Sequence, residues 1–386
     1  MLLLVAAIGC AAWIYLVGFH GGFWITSRYN DLAAPPVRQS WPDVVAVIPA
    51  RDEAESIGRS IRSLLGQPYG GRLSAVLVDD QSSDGTAALA TAAAAEIGAA
   101  DRLTVISGRT PPAGWTGKLW ALKQGLSRVE EREVAPTYVL LTDADIVYSG
   151  DVVARLVARA EAGNLAMASI MARLRCVSFA ERFLIPAFIF FFQMLYPFSW
   201  VAREDRTTAA AAGGCLLARW TALYEAGGID AIRGSLIDDC ATGALLKTYG
   251  PVWLGFSPDV VSVRASKTFE DVGSMISRSA YAQLRYSPLL LAGTVLAMTV
   301  VYLAPVYLAL AGHGDVRWLA LASWALMAFA FQPTLRYYQR SPFWGLALPA
   351  IALVYLLYTI MSAYQFYRGR GGMWKGRAQA NLSGFR

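Results

Sequence analysis

Two histidines and four cysteines are all that 386 residues supply of the imidazole and thiolate ligands. His20 and His313 both border apolar runs, Cys10 lies inside one, and Cys176, Cys215 and Cys240 have no close spacing. A zinc site or a Cys/His nucleophile is therefore not supported. Charge is scarce too, at 16% of residues against 55% hydrophobic, with a mean hydropathy of +0.40; soluble domains average about a quarter charged. From Leu2 to Ile25 there is no acidic or basic residue, a length that can span a bilayer, and no charged region precedes it as in a cleaved signal peptide. The Gly-x-x-x-x-Gly-Lys-Ser/Thr spacing of a phosphate-binding loop is absent, as is any internal repeat.

What is present divides along the chain. Apolar runs at Leu289–Ala311, Trp318–Phe331 and Phe343–Phe366 follow a polar stretch large enough for a full core. The expected organisation is an anchor at 1–28, a polar domain at 29–268 with an apolar segment at 179–201, an amphipathic interfacial helix at 269–288, a membrane region at 289–367 and a basic tail at 368–386. Much of the net charge of +6 flanks the apolar runs, at Arg28, Arg38, Arg336, Arg340, Arg368, Arg370, Lys375 and Arg377. Such clusters mark the cytoplasmic side and contact with anionic lipid rather than nucleic acid. A conflict follows. If the polar domain is cytoplasmic and all three later runs span, the tail ends outside; either Trp318–Phe331 is re-entrant or the tail breaks the positive-inside tendency.

The polar domain reads as strands that end in acids. Tyr138-Val139-Leu140-Leu141-Thr142 has the composition of a buried parallel strand and runs directly into Asp143-Ala144-Asp145. If extended geometry continues, Asp143 and Asp145 point to one side and can share a Mg²⁺ or Mn²⁺ ion carrying a diphosphate. The competing reading is one capping Asp and one solvated Asp. Val44–Ile48 precedes Pro49-Ala50-Arg51-Asp52-Glu53, and Ala75–Val78 precedes Asp79-Asp80, so a second and a third strand deliver polar groups at the same edge. Open α/β sheets bind ligands there, and an acid in that position can accept from a base or ribose. Gly114-Trp115-Thr116-Gly117-Lys118 opens a helix, where free N–H groups, the helix dipole and Lys118 converge as an anion site. Asp238 and Asp239 stand immediately before another helix; a cap explains one of them, and a general base would explain the other. The aromatic stretch Phe179–Trp200 suits either a core helix or a surface half-sunk in lipid. Phe269–Tyr286 is amphipathic, with Arg278 and Arg285 as candidate phosphate-facing cations.

Taken together, Pro-Ala-Arg-Asp-Glu at 49–53, Val-Asp-Asp-x-Ser-x-Asp-Gly-Thr at 78–86, Thr-Asp-Ala-Asp at 142–145 and the later Asp238-Asp239 resemble the ordered signature of the family 2 glycosyltransferases. More narrowly, the stretches at 114–121, 185–193, 236–240 and 283–288 resemble the hopanoid-biosynthesis-associated membrane subfamily and, more distantly, ceramide glucosyltransferases. The resemblance implies an α/β GT-A catalytic domain, Rossmann-like with a mostly parallel sheet, and transmembrane helices at both ends. It implies an inverting transfer from a nucleotide sugar, with a UDP-sugar expected, to a hydroxyl of a membrane lipid, a hopanoid being the specific expectation and a polyprenyl phosphate or another glycolipid the alternative. Carried onto this chain, it puts Ala50, Arg51 and Glu53 on the nucleoside, Asp79 or Asp80 on the base, Asp143 and Asp145 at the diphosphate with Asp145 holding Mg²⁺ or Mn²⁺, and Asp239, or else Asp238, as the base. Lys118, Gln283 and Arg285 would meet the diphosphate and acceptor. The family's Gln/Arg-x-x-Arg-Trp is here Gln283-Leu284-Arg285-Tyr286, one residue shorter and with Tyr for Trp. The implied location is a bacterial inner membrane with the catalytic domain facing the cytoplasm. Rival readings are a processive polysaccharide synthase, a nucleotidyltransferase and a catalytically silent scaffold.

Overall fold

The β-branched run at 44–48 forms β1 (Val44–Ala50), buried at every residue, as a strand covered on both faces must be. The computed structural model describes residues 1–29, 32–34 and 39–372. Arg38 of the expected basic flanks, and Lys375 and Arg377 of the tail, lie outside the described residues. The chain forms two units, one of Tyr29–Arg175 with Trp200–Ala265 and one of Met1–Arg28, Cys176–Ser199 and Ser266–Arg386.

The first unit is built on a mixed eight-stranded sheet. After β1 come β2 (Leu73–Asp79), β3 (Leu103–Ser107), β4 (Tyr138–Thr142), β5 (Ile146–Tyr148), β6 (Met167–Arg173), β7 (Cys215–Arg219) and β8 (Val252–Ser262), in the spatial order β3-β2-β1-β4-β7-β6-β8-β5. The pairs β1–β2, β2–β3, β1–β4 and β6–β8 are parallel, whereas β7 runs antiparallel to both β4 and β6, and β5 antiparallel to β8. Crossover helices alternate with the parallel strands, and the expected α/β class holds. Strand β8 runs unbroken for 11 residues. One sequence expectation changes: the extended geometry of β4 stops at Thr142, and Asp143-Ala144-Asp145 is a turn, closed by Ile146 N donating to Asp143 O.

One helix fixes the sheet edge with particular force. Gly117–Glu130 crosses β1 and β2 at Gly125, where a Cβ would stand 2.4 Å from Val47 Cγ1 and 3.0 Å from Val78 Cγ2. Only glycine permits that approach. Thr116 caps the helix, its Oγ1 accepting from Leu119 N, and the first turn is thereby held at the carboxyl ends of the strands.

The second unit is helical. Phe179–Val201, Pro288–Ala311, Gly314–Tyr337 and Pro342–Tyr367 are long and apolar enough to cross a membrane, and Leu2–Gly18 is a shorter apolar helix of 17 residues. The expected 14-residue Trp318–Phe331 segment is thus the middle of a 24-residue helix, because isolated Arg317 and Arg336 shorten the apolar run without ending the helix. Phe179–Leu195 is likewise one helix that continues through Pro186. A capping box at Ser178 and Glu181 starts it, and Glu181, fully buried, also accepts from Val177 N and Ser266 N. Pro305 lacks the N–H that would reach Val301 O four residues back, and a π-turn forms at Thr299–Leu303. Trp13 Nε1 donates to that carbonyl at 2.9 Å, which removes an unpaired acceptor that would cost several kcal/mol in hydrocarbon.

The last helix is reached by a fold-back. Pro342–Ala347 runs antiparallel along the preceding helix, with Gln332 Nε2 donating to Pro342 O and Trp324 Nε1 to Leu346 O, both at 3.1 Å. Gly345 permits it, since a Cβ there would lie 2.5 Å from Gln332 Nε2 and 2.9 Å from Ala328 O. Leu348–Tyr367 then packs along Phe269–Gln283: Tyr281 N donates to Ser362 Oγ, Tyr281 and Tyr367 hydroxyls meet at 3.0 Å, and Phe366 stacks on Tyr286 at 4.5 Å. The helix ends beside the residues that precede Pro288.

Candidate active site

The helix Gly117–Glu130 delivers Lys118 to the strand ends, where Nζ lies 2.9 Å from Asp143 Oδ1 and 3.0 Å from Asp238 Oδ2. Asp238 and Asp239 open the helix Asp238–Lys247 without capping it; Ile237 occupies the cap position. Asp239 instead accepts at Oδ1 from Cys240 N, 2.7 Å, and at Oδ2 from Gly213 N, 3.2 Å. Gly213 comes from the small-residue run before β7. A Cβ on it would sit 3.2 Å from Lys118 Nζ and 3.4 Å from Asp239 Cβ. These groups line one pocket with Thr242 at its wall.

On the other side of the Asp143–Asp145 turn, Asp145 Oδ2 accepts from Ser262 Oγ and lies 3.5 Å from Arg264 Nε. Arg264 Nη2 also reaches Glu53 Oε1 at 2.5 Å. Glu53 is buried, its Oε2 accepting from Ser56 Oγ and its N–H donating to Thr86 Oγ1. Lys118 thus bridges Asp143 and Asp238, Arg264 bridges Glu53 and Asp145, and Asp239 adjoins the first pair through Gly213. The crowding of acids has consequences for protonation. Burial, then Asp238, push Asp239 up to about 6 from an ordinary 3.8, against Lys118 and the two backbone N–H bonds. Burial also raises Asp143, with Lys118 opposing and Asp145 and Asp238 adding to it. Burial disfavours the Lys118 charge, yet Asp143 and Asp238 outweigh it and hold the ammonium firmly protonated.

Arg51, Asp79 and Asp80 form a neighbouring group at the ends of β1 and β2. Arg51 Nη1 donates to Asp80 O at 3.0 Å and to Asp80 Oδ2 at 3.3 Å, and Asp80 is buried. Asp79 is partly exposed, with Oδ1 accepting from Ser82 N. Ala50, buried, accepts from Asp80 N. The two loops are cross-tied by Asp52 N to Ser82 Oγ and Ala54 N to Asp84 Oδ2. Asp52 and Gln81 sit in the left-handed region, at φ 50° and 58°.

Gln283 and Arg285 belong to the helical unit. The Gln283 amide exchanges two hydrogen bonds with the Tyr196 hydroxyl, at 2.8 and 2.9 Å, and exposed Arg285 is left-handed at φ 50°, followed by Tyr286 at φ 55°. Sequence reasoning passed over Arg264 and Ser262 as site residues and saw Gly213 only within the small-residue run at 209–215, which lets a ligand or another backbone approach closely. The first two end and follow β8, a strand that ends in no acid and, among the described residues, pairs only with β5 and β6.

Among the described residues no three His, Cys, Asp or Glu side chains converge as a ready metal cage. The donor chemistry nonetheless fits a hard divalent ion, which takes one or two carboxylates and fills its shell with water and phosphate oxygens. Asp143 Oδ2 and Asp145 Oδ1 are the oxygens left over by the bonds above, their companions being taken by Lys118 and by Ser262 with Arg264.

Comparison with known proteins places this geometry in context. A family model described as glycosyltransferase like family 2 matches residues 42–274. A mannosyltransferase from Pyrobaculum calidifontis, solved with GDP-Man and Mn²⁺, is similar over 98% of this chain and 100% of its own, at 20% identity and a TM-score of 0.56. Glucosyl-3-phosphoglycerate synthase from Mycobacterium tuberculosis, solved with Mn²⁺, UDP-glucose and glycerol 3-phosphate, aligns over 64% of this chain and 84% of its own, at 17% identity and a TM-score of 0.39. No curated protein matches the sequence at a significant level.

Proposed function

The chain belongs to the glycosyltransferase-like family 2, and on that premise we propose that it moves a sugar, with inversion, from a nucleotide sugar to a hydroxyl of a membrane lipid. The observation that carries the reading is the placement of Asp239, held by the N–H groups of Gly213 and Cys240 beside the Lys118-bridged pair Asp143 and Asp238, where burial and Asp238 raise it to about 6. A base is most useful when its pKa lies near working pH, and an Asp at its ordinary value of about 3.9 would be a poor one.

In this reading Asp239 takes the acceptor hydroxyl proton as that oxygen attacks the anomeric carbon and the bond to the diphosphate breaks. Gly213 N–H and Cys240 N–H orient the carboxylate. Lys118, whose ammonium stays protonated, meets the charge that builds on the leaving diphosphate. Asp143 and Asp145 would hold Mg²⁺ or Mn²⁺, which when bound offsets diphosphate charge as a Lewis acid. Glu53, Arg51 and Ala50 serve the nucleoside. Asp79 is a better partner for the base than Asp80, because Asp80 is buried against Arg51. Gln283 and Arg285 are candidate acceptor or diphosphate contacts on the helical unit. A UDP-sugar donor and a hopanoid acceptor are the specific assignments, and both rest on the sequence resemblance.

Membrane association is supported by four helices of spanning length and composition. We place the protein in a bacterial inner membrane with the sheet unit cytoplasmic. The fold-back at Pro342–Ala347 favours re-entry there rather than at Trp318–Phe331, and the Tyr367–Tyr281 contact favours a tail on the same side as Ser287. That arrangement removes the conflict with the positive-inside tendency.

The test is release of nucleoside diphosphate from a panel of nucleotide sugars by the full chain in bilayer discs containing bacterial lipid, with and without Mn²⁺ or Mg²⁺. Turnover that needs lipid and Asp239 supports the reading and identifies the donor. Donor binding without turnover, with every lipid supplied, would favour a silent scaffold.

A further inference from the structure

We propose that Arg264 is a resident counter-ion at Asp145, displaced when a divalent cation and the donor diphosphate arrive together, so that it couples metal binding to donor binding. The proposal rests on the transferase reading above. Three strand ends meet at this residue: Glu53 follows β1, Asp145 follows β4, and Arg264 follows β8. The two acids are buried and the cation is half-exposed. Side-chain exposure is 9% for Glu53 and 7% for Asp145 but 46% for Arg264. Ser56 and Ser262 hold the carboxylates in place independently of the guanidinium. Here the long, half-exposed member can swing away while both acids stay.

The electrostatic logic follows from the same distances. With Arg264 Nε 3.5 Å from Asp145 Oδ2, a dication seated on Asp145 alone meets a like charge within a few ångströms. Metal without donor is therefore disfavoured. A diphosphate changes the balance, because its oxygens offer the guanidinium a charge-assisted partner in exchange for Asp145. By linkage, each ligand must then raise the affinity of the other by the same factor.

The test is Mn²⁺ binding, read from the paramagnetic resonance signal of the free ion, to the full chain in bilayer discs, first without nucleotide and then with UDP or GDP. Arg264→Gln is expected to bind Mn²⁺ about tenfold or more tightly than wild type without nucleotide, and to lose most of the nucleotide-induced tightening. Arg264→Lys, which keeps the charge, should stay close to wild type. Arg264→Met, which keeps the aliphatic stem, gives the same comparison if the Gln variant does not fold. Equal or weaker Mn²⁺ binding by the uncharged variants overturns the proposal, as does a gain by Arg264→Lys equal to theirs. Failure of both nucleotides to bind any variant would instead count against the transferase reading, and the nucleotide-free comparison would still decide the role of Arg264.

Discussion

Asp239→Asn separates the activity of that carboxylate from its cost to the fold. In the folded protein burial and Asp238 raise Asp239 from 3.8 to about 6, a shift of roughly two units. At about 1.4 kcal/mol per unit this is a ceiling of roughly 3 kcal/mol by which ionised Asp239 disfavours the folded state. The sign is that of an acid raised on folding: the favourable contribution is complete below about pH 4, where Asp239 is protonated in both states, and is lost as pH rises through about 6. Asparagine cannot ionise but still offers one oxygen to the N–H groups of Gly213 and Cys240. Losing the charge on those two bonds takes back part of the gain, so a net stabilisation of about 1–2 kcal/mol at pH 7.5 is expected. The variant should melt above wild type at pH 7.5, and the gap should close between pH 6 and pH 4. Activity should move the other way, falling about 10²- to 10⁴-fold. Wild-type kcat/KM should decline about tenfold per pH unit below 6. Melting followed by tryptophan fluorescence across pH and nucleoside diphosphate release give the two readouts. A variant less stable than wild type at every pH, or a wild-type rate with no acidic limb near 6, would refute the assignment of Asp239 as a strained base.

Other perturbations probe neighbouring parts of the same arrangement. Asp238→Asn removes the like charge named after burial in raising Asp239, so the acidic limb of the rate profile should move to lower pH; an unmoved limb would mean that Asp238 does not face Asp239 in the working enzyme. Lys118→Met leaves Asp143 and Asp238 without their shared cation and should lower kcat about 10²-fold or more with little change in acceptor KM, a split that steady-state kinetics would resolve. Gly213→Ala puts a methyl group 3.2 Å from Lys118 Nζ and 3.4 Å from Asp239 Cβ; activity should fall while the melting temperature holds, and an unaffected rate would show that Lys118 and Asp239 need not approach each other. Single cysteines replacing Ser287 and Arg368 should label from the same side of a sealed vesicle, and labelling from opposite sides would contradict re-entry at Pro342–Ala347.

The sequence alone determined which strands end in acids, because burial composition and the abrupt change to Asp or Glu are local properties of a few consecutive residues. Val44–Ile48, Ala75–Val78 and Tyr138–Thr142 are strands for that reason, and the helix that carries Lys118 starts at its threonine cap for a similarly local one. The α/β class followed from the same pattern. Tertiary structure decided what lay between distant segments. Nothing near Asp143 and Asp145 reveals that the strand stops before them and turns one acid toward Lys118 and the other toward Ser262 and Arg264, since those partners are recruited from other strand ends. The antiparallel course of β7, sandwiched between β4 and β6, leaves no periodic signal, because a strand buried on both faces reads alike in either direction. Hydropathy likewise counted Phe343–Phe366 as one apolar run. Its fold-back depends on Gly345 meeting Gln332 and Ala328 across the preceding helix, and on Tyr281 receiving Tyr367, contacts that local composition does not encode.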